Sequence, residues 1–341
     1  MASPCHRAAL AAMASTSSAA AMASASSAAA MPAQIRRPRF PDGEHVRLRS
    51  RVLGTYLHAD TDGAAISLSP RRASMNVAWR VHIYNDGLGN GYLLLQGAAY
   101  GLYLGSTRGI PAELGHHGIH VYQSPYDEPE FEDIMWQVLV SRDDVLLRHV
   151  DGHYLRANGK YPGWNDRPTV DDFDGRSMMM RWVVERIPAR QNIPGLPYPQ
   201  VEEPGNYLRR VWNIWMNPND NHIEAPWRLI RFVPAGTHGL YPTDKWAEVQ
   251  FRGNSIFLLK DWMVTEFSEA EINYRRGYAR RNSTLWSDWN SIVLCVRAGR
   301  YARLCPMLVD LPVEGETLFV VVFRTGTPGE AQLRYPDIDA E

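Results

Sequence analysis

Gly54-Thr55-Tyr56-Leu57-His58-Ala59, Gly101-Leu102-Tyr103-Leu104-Gly105-Ser106 and Gly152-His153-Tyr154-Leu155-Arg156-Ala157 are three renderings of one short phrase, and they decide the fold. Each is preceded by an apolar run: Val46-Arg47-Leu48-Arg49-Ser50, Leu93-Leu94-Leu95 or Val145-Leu146-Leu147-Arg148-His149. Each is closed further on by Trp79-Arg80-Val81, Trp136-Gln137-Val138 or Trp182-Val183-Val184. The glycines are 47 and 51 residues apart, a period that marks one supersecondary unit written three times.

The unit is made of strands. Val46 and Leu48 alternate with Arg47 and Arg49, the period of two expected when one face is buried and the other wet. The glycines supply the positive φ that a tight turn demands, and the tryptophans recur where packing needs a large anchor. Three copies of about four short strands each predict a closed pseudo-threefold barrel with a triangular cap, a β-trefoil, over residues 40–187.

Working outward, residues 1–39 are rich in Ala and Ser, carry Arg7, Arg36, Arg37 and Arg39, and contain no acidic residue. Such a tract cannot offset its chain entropy and reads as a disordered leader. Two origins stay open: an extension upstream of the fold, which leaves the protein cytoplasmic, or an organelle transit peptide. On the other side, Pro188, Pro194, Pro197, Pro199 and Pro204 predict a semi-rigid linker, with an irregular aromatic segment running on to 226.

From 227 onward the pattern is mixed. Trp227 to Val233, Glu248 to Arg252, Ile292 to Val296, Leu304 to Leu311 and Thr317 to Phe323 read as strands. Ile256, Leu259, Met263 and Phe267 fall at helical spacing, so Ser255 to Phe267 is an expected amphipathic helix. The order β-β-α-β-β-β predicts a β-grasp, ubiquitin-like domain over 227–341, with Glu269 to Asn290 inserted. The expectation is therefore a mainly β chain of two domains, a trefoil followed by an α+β domain.

With 36 basic and 37 acidic side chains the net charge is -1, which offers no global attraction to nucleic acid or an anionic membrane. Arg275, Arg276, Arg280 and Arg281 lie among Tyr274 and Tyr278, too local a basic group to change that. No apolar run approaches a membrane span. Three cysteines argue for a reducing compartment, and a hairpin centred on Arg300 would set Cys295 opposite Cys305; two free, half-buried thiols are the expectation.

Candidate chemistry is sparse. Gly115-His116-His117-Gly118-Ile119-His120 lacks a fourth ligand and a rigid frame, so no metal is expected there. His116, His117 and His120 stand instead as candidate partner-binding residues. Asp127, Glu128, Glu130, Glu132 and Asp133 read as a solvated acidic loop. Asp171-Asp172-Phe173-Asp174-Gly175 has its glycine too early for a calcium loop. Arg49 and Arg148 occupy matching places in copies one and three, where copy two has Leu95-Gln96; they could hold carboxylates or phosphates in a fork, or simply solubilise an outer face. Tyr161 and Trp164 lack counterparts in the other copies and, with Arg49 and Arg148, join the histidines as candidate partner-binding residues. No hydrolase, metalloprotease, phosphate-loop or dinucleotide motif occurs, so neither an enzyme nor a cofactor is expected.

These residues resemble a known family. Val46 to Ser50 with Gly54 to Ala59 looks like the opening of a fascin-like trefoil of the actin-cross-linking type. Leu147-Arg148-His149, Leu155 to Gly159, Val170 to Asp174, Cys295 to Tyr301 and Arg334-Tyr335-Pro336-Asp337 resemble plant proteins of the domain-of-unknown-function 569 family. The resemblance implies a trefoil followed by a ubiquitin-like module and no established activity. Ricin-type lectins would show Gln-x-Trp in each copy, and Kunitz-type inhibitors would need disulfides. The functional expectation is a non-enzymatic intracellular protein-binding or scaffold protein, with actin filaments as the partner the resemblance suggests. A carbohydrate- or small-ligand-binding trefoil is the alternative.

Overall fold

The computed structural model describes residues 39–340 except 88, 90, 113–116, 128–130, 142, 160–166, 200–226, 266–291 and 315–316, with the backbone alone at 107–110. The leader before 39, the segment 200–226 and the insertion with its four arginines lie outside the described residues.

Copy one supplies β1 (His45–Ser50), β2 (Tyr56–Ala59), β3 (Ile66–Ser69) and β4 (Trp79–Asn85). Copy two supplies β5 (Gly91–Gly97), β6 (Tyr103–Pro111), β7 (Ile119–Ser124) and β8 (Trp136–Ser141). Copy three supplies β9 (Asp144–His149), β10 (Tyr154–Ala157), β11 (Pro168–Asp171) and β12 (Trp182–Ile187). Three long antiparallel pairs, β4–β5, β8–β9 and β12–β1, are joined by β1–β4, β5–β8 and β9–β12 into a six-stranded barrel. Hairpins β2–β3, β6–β7 and β10–β11 cap it. This is the expected trefoil.

The repeated phrase works as one unit. Gly54, Gly101 and Gly152 have φ of 70°, 74° and 104°, the turn conformation a side chain resists. Trp79, Trp136 and Trp182 are wholly buried, and each indole N–H donates to the carbonyl of the Leu in its own copy's phrase, Leu57, Leu104 or Leu155, always at 3.0 Å. Burying an indole is favourable only if its one donor is satisfied, and the fold solves that three times in the same way.

Beyond the barrel, β13 (Ala189–Arg190) pairs with the terminal β19 (Tyr335–Pro336), so the start of the expected linker is tied into a two-stranded ladder. The second domain is built from β14 (Trp227–Pro234), β15 (Ala247–Arg252), helix α1 (256–265), β16 (Ile292–Val296), β17 (Cys305–Pro306) and β18 (Leu318–Arg324). Its sheet order is β15-β14-β18-β16-β17, with β14 and β18 parallel, which is the β-grasp arrangement. The helix starts where Ser255 Oγ accepts from Leu258 N and Asp310 accepts from Ile256 N. It buries Ile256, Leu259 and Met263 against the sheet. The sheet's other face is covered as well, by Tyr241, Trp246 and Leu333 over Val293, Cys295, Val321 and Phe323, which explains the nearly unbroken apolar run of β18.

Several expectations need correction. Leu304 to Leu311 is not a long strand, because Pro306 ends the ladder and the following residues bridge the two cores, Leu308 in the trefoil and Met307 and Leu311 under the helix. Cys295 faces Pro306 while Cys305 faces Val296; that one-residue offset turns the two free thiols to opposite sides of the sheet. Both are fully buried rather than half-buried. Arg47, expected on the wet face, is 0% exposed because the chain's tail lies over it: Arg47 Nη2 donates to Ile338 O at 2.5 Å.

From Arg39 onward the chain forms one compact unit. Copy two carries the seam. Gln96 donates to Arg303 O at 2.7 Å and Arg80 to Leu304 O at 3.0 Å. Tyr126 exchanges backbone bonds with Ala298 and Tyr301, both 2.9 Å. Asp127, expected in a solvated loop, accepts from Arg300 N at 2.7 Å.

Candidate binding surface

The register defines three equivalent outward faces on the barrel. On each, a residue one place after the tryptophan faces the Arg49, Gln96 or Arg148 position, which in turn faces a Tyr of the phrase. The sets are Val183, Arg49 and Tyr56; Arg80, Gln96 and Tyr103; Gln137, Arg148 and Tyr154. Two places further along, Glu185 faces Arg47, His82 faces Leu94 and Leu139 faces Leu146.

The face of β4–β5 is occupied by the second domain. Burial drives the His82 imidazole down to about 4, with Arg303 adding to the effect, and the ring bonds Tyr103 OH at 3.1 Å. Burial also pushes the Tyr103 phenol well above its ordinary value. The face of β12–β1 is occupied by the tail. Arg47 and Arg72 donate to the carbonyls of Ile338 and Ala340, and Arg190 holds Asp337 and Asp339, each at 2.7 Å. Arg49 serves that cluster internally, bound to Glu185 Oε1 at 2.7 Å.

The face of β8–β9 carries none of this among the described residues. Leu139 is 41% exposed and Phe173 53%, the latter with its ring 5.0 Å from that of Tyr154. Among the described residues Arg148 makes only a long bond, 3.5 Å, to Gly152 O. Charge lines one side: Arg156 pairs with Asp171 at 2.9 Å, and Asp151 Oδ1 lies 3.0 Å from both His149 Nδ1 and His153 Nδ1, off the hydrogen-bond direction. Burial would raise the Asp151 carboxyl, but the His153 N–H and the two imidazoles hold it below its usual range.

Of the residues singled out in the sequence, Arg148 and His120 join one ladder, since Arg148 faces Tyr154, Tyr154 faces Asp171, and the neighbouring Thr169 faces His120. His117 is exposed before β7. Arg49 lies on a different face, and His116, Tyr161 and Trp164 lie outside the described residues. Leu139 could not be singled out from sequence, because an outward apolar residue on a strand reads like any other half-buried one, and Phe173, just past the end of β11, stood out only as the apolar member of an acidic run.

No group of three or more metal-ligating side chains is present among the described residues. Ser67, His58 and Asp60 come together, but not as a hydrolytic relay. Asp60 Oδ1 sits 2.8 Å from His58 Nδ1 and Ser67 Oγ sits 3.3 Å from that same nitrogen, whereas a relay needs the hydroxyl on the opposite ring nitrogen. Burial would raise the Asp60 carboxyl, yet its bonds from His58 and Ser67 hold it low, a structural knot at the end of β2. No helix among the described residues is long and apolar enough to cross a membrane.

Comparisons agree with this architecture. Residues 39–185 match the family model of the beta-trefoil domain of unknown function (DUF569), and 226–323 match its associated ubiquitin-like domain. No curated protein matches the chain. Similar solved structures include the designed three-fold symmetric protein ThreeFoil, 18% identical, covering 41% of this chain and 97% of that one at a TM-score of 0.34. Another is the SDF2-like protein from Arabidopsis thaliana, 15% identical, with 42% and 93% covered at 0.36. A ricin B-like lectin of Macrolepiota procera in complex with lactose is 17% identical, with 43% and 97% covered at 0.33. Identities this low say nothing of function. With both of its domains matched in order, the chain belongs to the DUF569 family, a β-trefoil followed by that family's ubiquitin-like domain.

Proposed function

We propose that this is a non-enzymatic protein-binding protein of scaffold type, which takes its partner on the β8–β9 face of the trefoil. One observation carries the reading: two of the three equivalent faces each hold a stretch of polypeptide from this same chain, through side-chain bonds to its backbone carbonyls. The third offers the same geometry with Leu139 and Phe173 as apolar anchors and Arg148 as an adaptable charge. The cytoplasm suits it, since buried thiols such as Cys295 and Cys305 stay reduced there.

Filamentous actin is the partner to test first, on the fascin-like resemblance of the opening strands. One open face among the described residues supports binding without bundling. The full chain is therefore expected to pellet with filaments at high speed and to remain in solution at low speed. The double variant Leu139→Asp, Phe173→Asp is expected to weaken pelleting by at least about tenfold, as loss of apolar anchors does. No pelleting at either speed, or equal pelleting by the variant, overturns the reading.

A further inference from the structure

A polar cleft of about 720 Å³ opens where the two ends of the trefoil meet the second domain. Asp42, Glu44 and His45 line it from the start of β1, Arg80 from β4, Arg186 from the end of β12, and Arg303 and Arg334 from the other side. That volume is within the range of small-molecule sites, roughly 300 to 1,000 Å³.

Its charges do not cancel. Arg303 spans the Asp42 carboxylate with bonds of 2.9 and 3.0 Å, and Arg186 holds Glu44. Those two pairs account for both acids and leave Arg80 and Arg334 without a carboxylate. Arg80 has one bond, to Leu304 O at 3.0 Å, while its buried Nε has no hydrogen-bond partner among the described residues. Burial lowers its pKa, so the charged guanidinium is held there at a cost. Arg334 is exposed at the rim and makes no ion pair among the described residues. His45 faces Arg80 across the strands and adds no charge, because burial, with Arg80 beside it, brings its imidazole down to about 3.

We propose that this cleft binds the phosphate monoester of a small organic molecule, gripped between Arg80 on the trefoil and Arg334 on the tail. Two uncompensated guanidinium groups approaching from different domains suit a group that carries nearly two negative charges and several acceptor oxygens. The exposed Arg334 fork can take a pair of phosphate oxygens while Arg80 supplies charge and a further donor from the opposite wall, and no metal is needed. Because the ligand would touch both domains, it also stabilises their junction.

The test uses the full chain and glucose 6-phosphate as the probe, with melting temperature and titration calorimetry as readouts. Glucose, sodium chloride at matched ionic strength, succinate and inorganic phosphate serve as comparisons. Expected is a saturable rise in Tm with glucose 6-phosphate and none with glucose or chloride. Arg334→Ala, an exposed change that leaves the core intact, is expected to weaken binding by about tenfold or more, the worth of one charge-assisted bond. Comparable binding of inorganic phosphate assigns recognition to the phosphate group itself and upholds the proposal. It is overturned if chloride gives the same rise, if succinate binds more tightly than either phosphate, or if Arg334→Ala binds as well as the parent.

Discussion

Gly101 shows how a repeated residue acquires a second task. All three phrase glycines need a positive φ, and any side chain there costs about 1 to 2 kcal/mol. A Cβ at Gly54 would meet nothing within 4 Å, whereas one at Gly101 would lie 2.9 Å from Val296 Cγ1 and 3.1 Å from Cys305 Cβ. Gly101→Ala should therefore destabilise the chain by about 1 to 3 kcal/mol more than Gly54→Ala in urea unfolding, the usual cost of overpacking. Equal losses would mean that the second domain does not press on copy two. His45 makes a different prediction. Its imidazole titrates near 6.5 in an unfolded chain and at about 3 in the fold, where burial excludes the proton. Between those values the unfolded state binds more protons, so stability rises with pH and is lost as pH falls below about 6.5. By pH 3.5 the loss is on the order of 4 kcal/mol. Unfolding midpoints measured from pH 7 to pH 4 should decline, and His45→Gln should flatten the decline. The repeated tryptophans were legible as core from their period alone. His45 was not, because its burial comes from strand pairing with Ile187 on one side and Arg80 on the other, both distant in sequence.

At the scale of elements, the strands that alternate or repeat could be read directly, and those that bridge two cores could not. β16 spans Ile292–Val296 as its pattern indicates, because every one of its residues is buried on one sheet face or the other. The stretch after Cys305 looks equally strand-like, yet its apolar side chains serve two domains and Pro306 interrupts its hydrogen bonds. The thiols test this arrangement. Burial pushes Cys305 up to about 12 and Cys295 well above its ordinary value, so neither is a thiolate at neutral pH. Iodoacetamide should leave both unmodified in the native protein by mass spectrometry and should alkylate both in denaturant. Labelling of Cys305 without denaturant would mean that the contact between β17 and copy two opens readily.

At the scale of the molecule, the pseudo-threefold symmetry is broken by what each face holds. Copy two, with Gln96 in place of arginine, takes the second domain, and copy one takes the tail over Arg47 and Arg72. The sequence displayed the symmetry, and the exchange of arginine at Leu95-Gln96 was visible in it. What that exchange meant was not, because its partner across the seam, Arg303, lies 207 residues further along the chain. Polar bonds, packing and paired strands join the domains from Arg39 onward, so they should unfold together. Scanning calorimetry of the full chain tests this most directly. A single transition whose calorimetric enthalpy equals its van't Hoff enthalpy is expected, and two separate transitions, one for each domain, would contradict a jointly folded molecule.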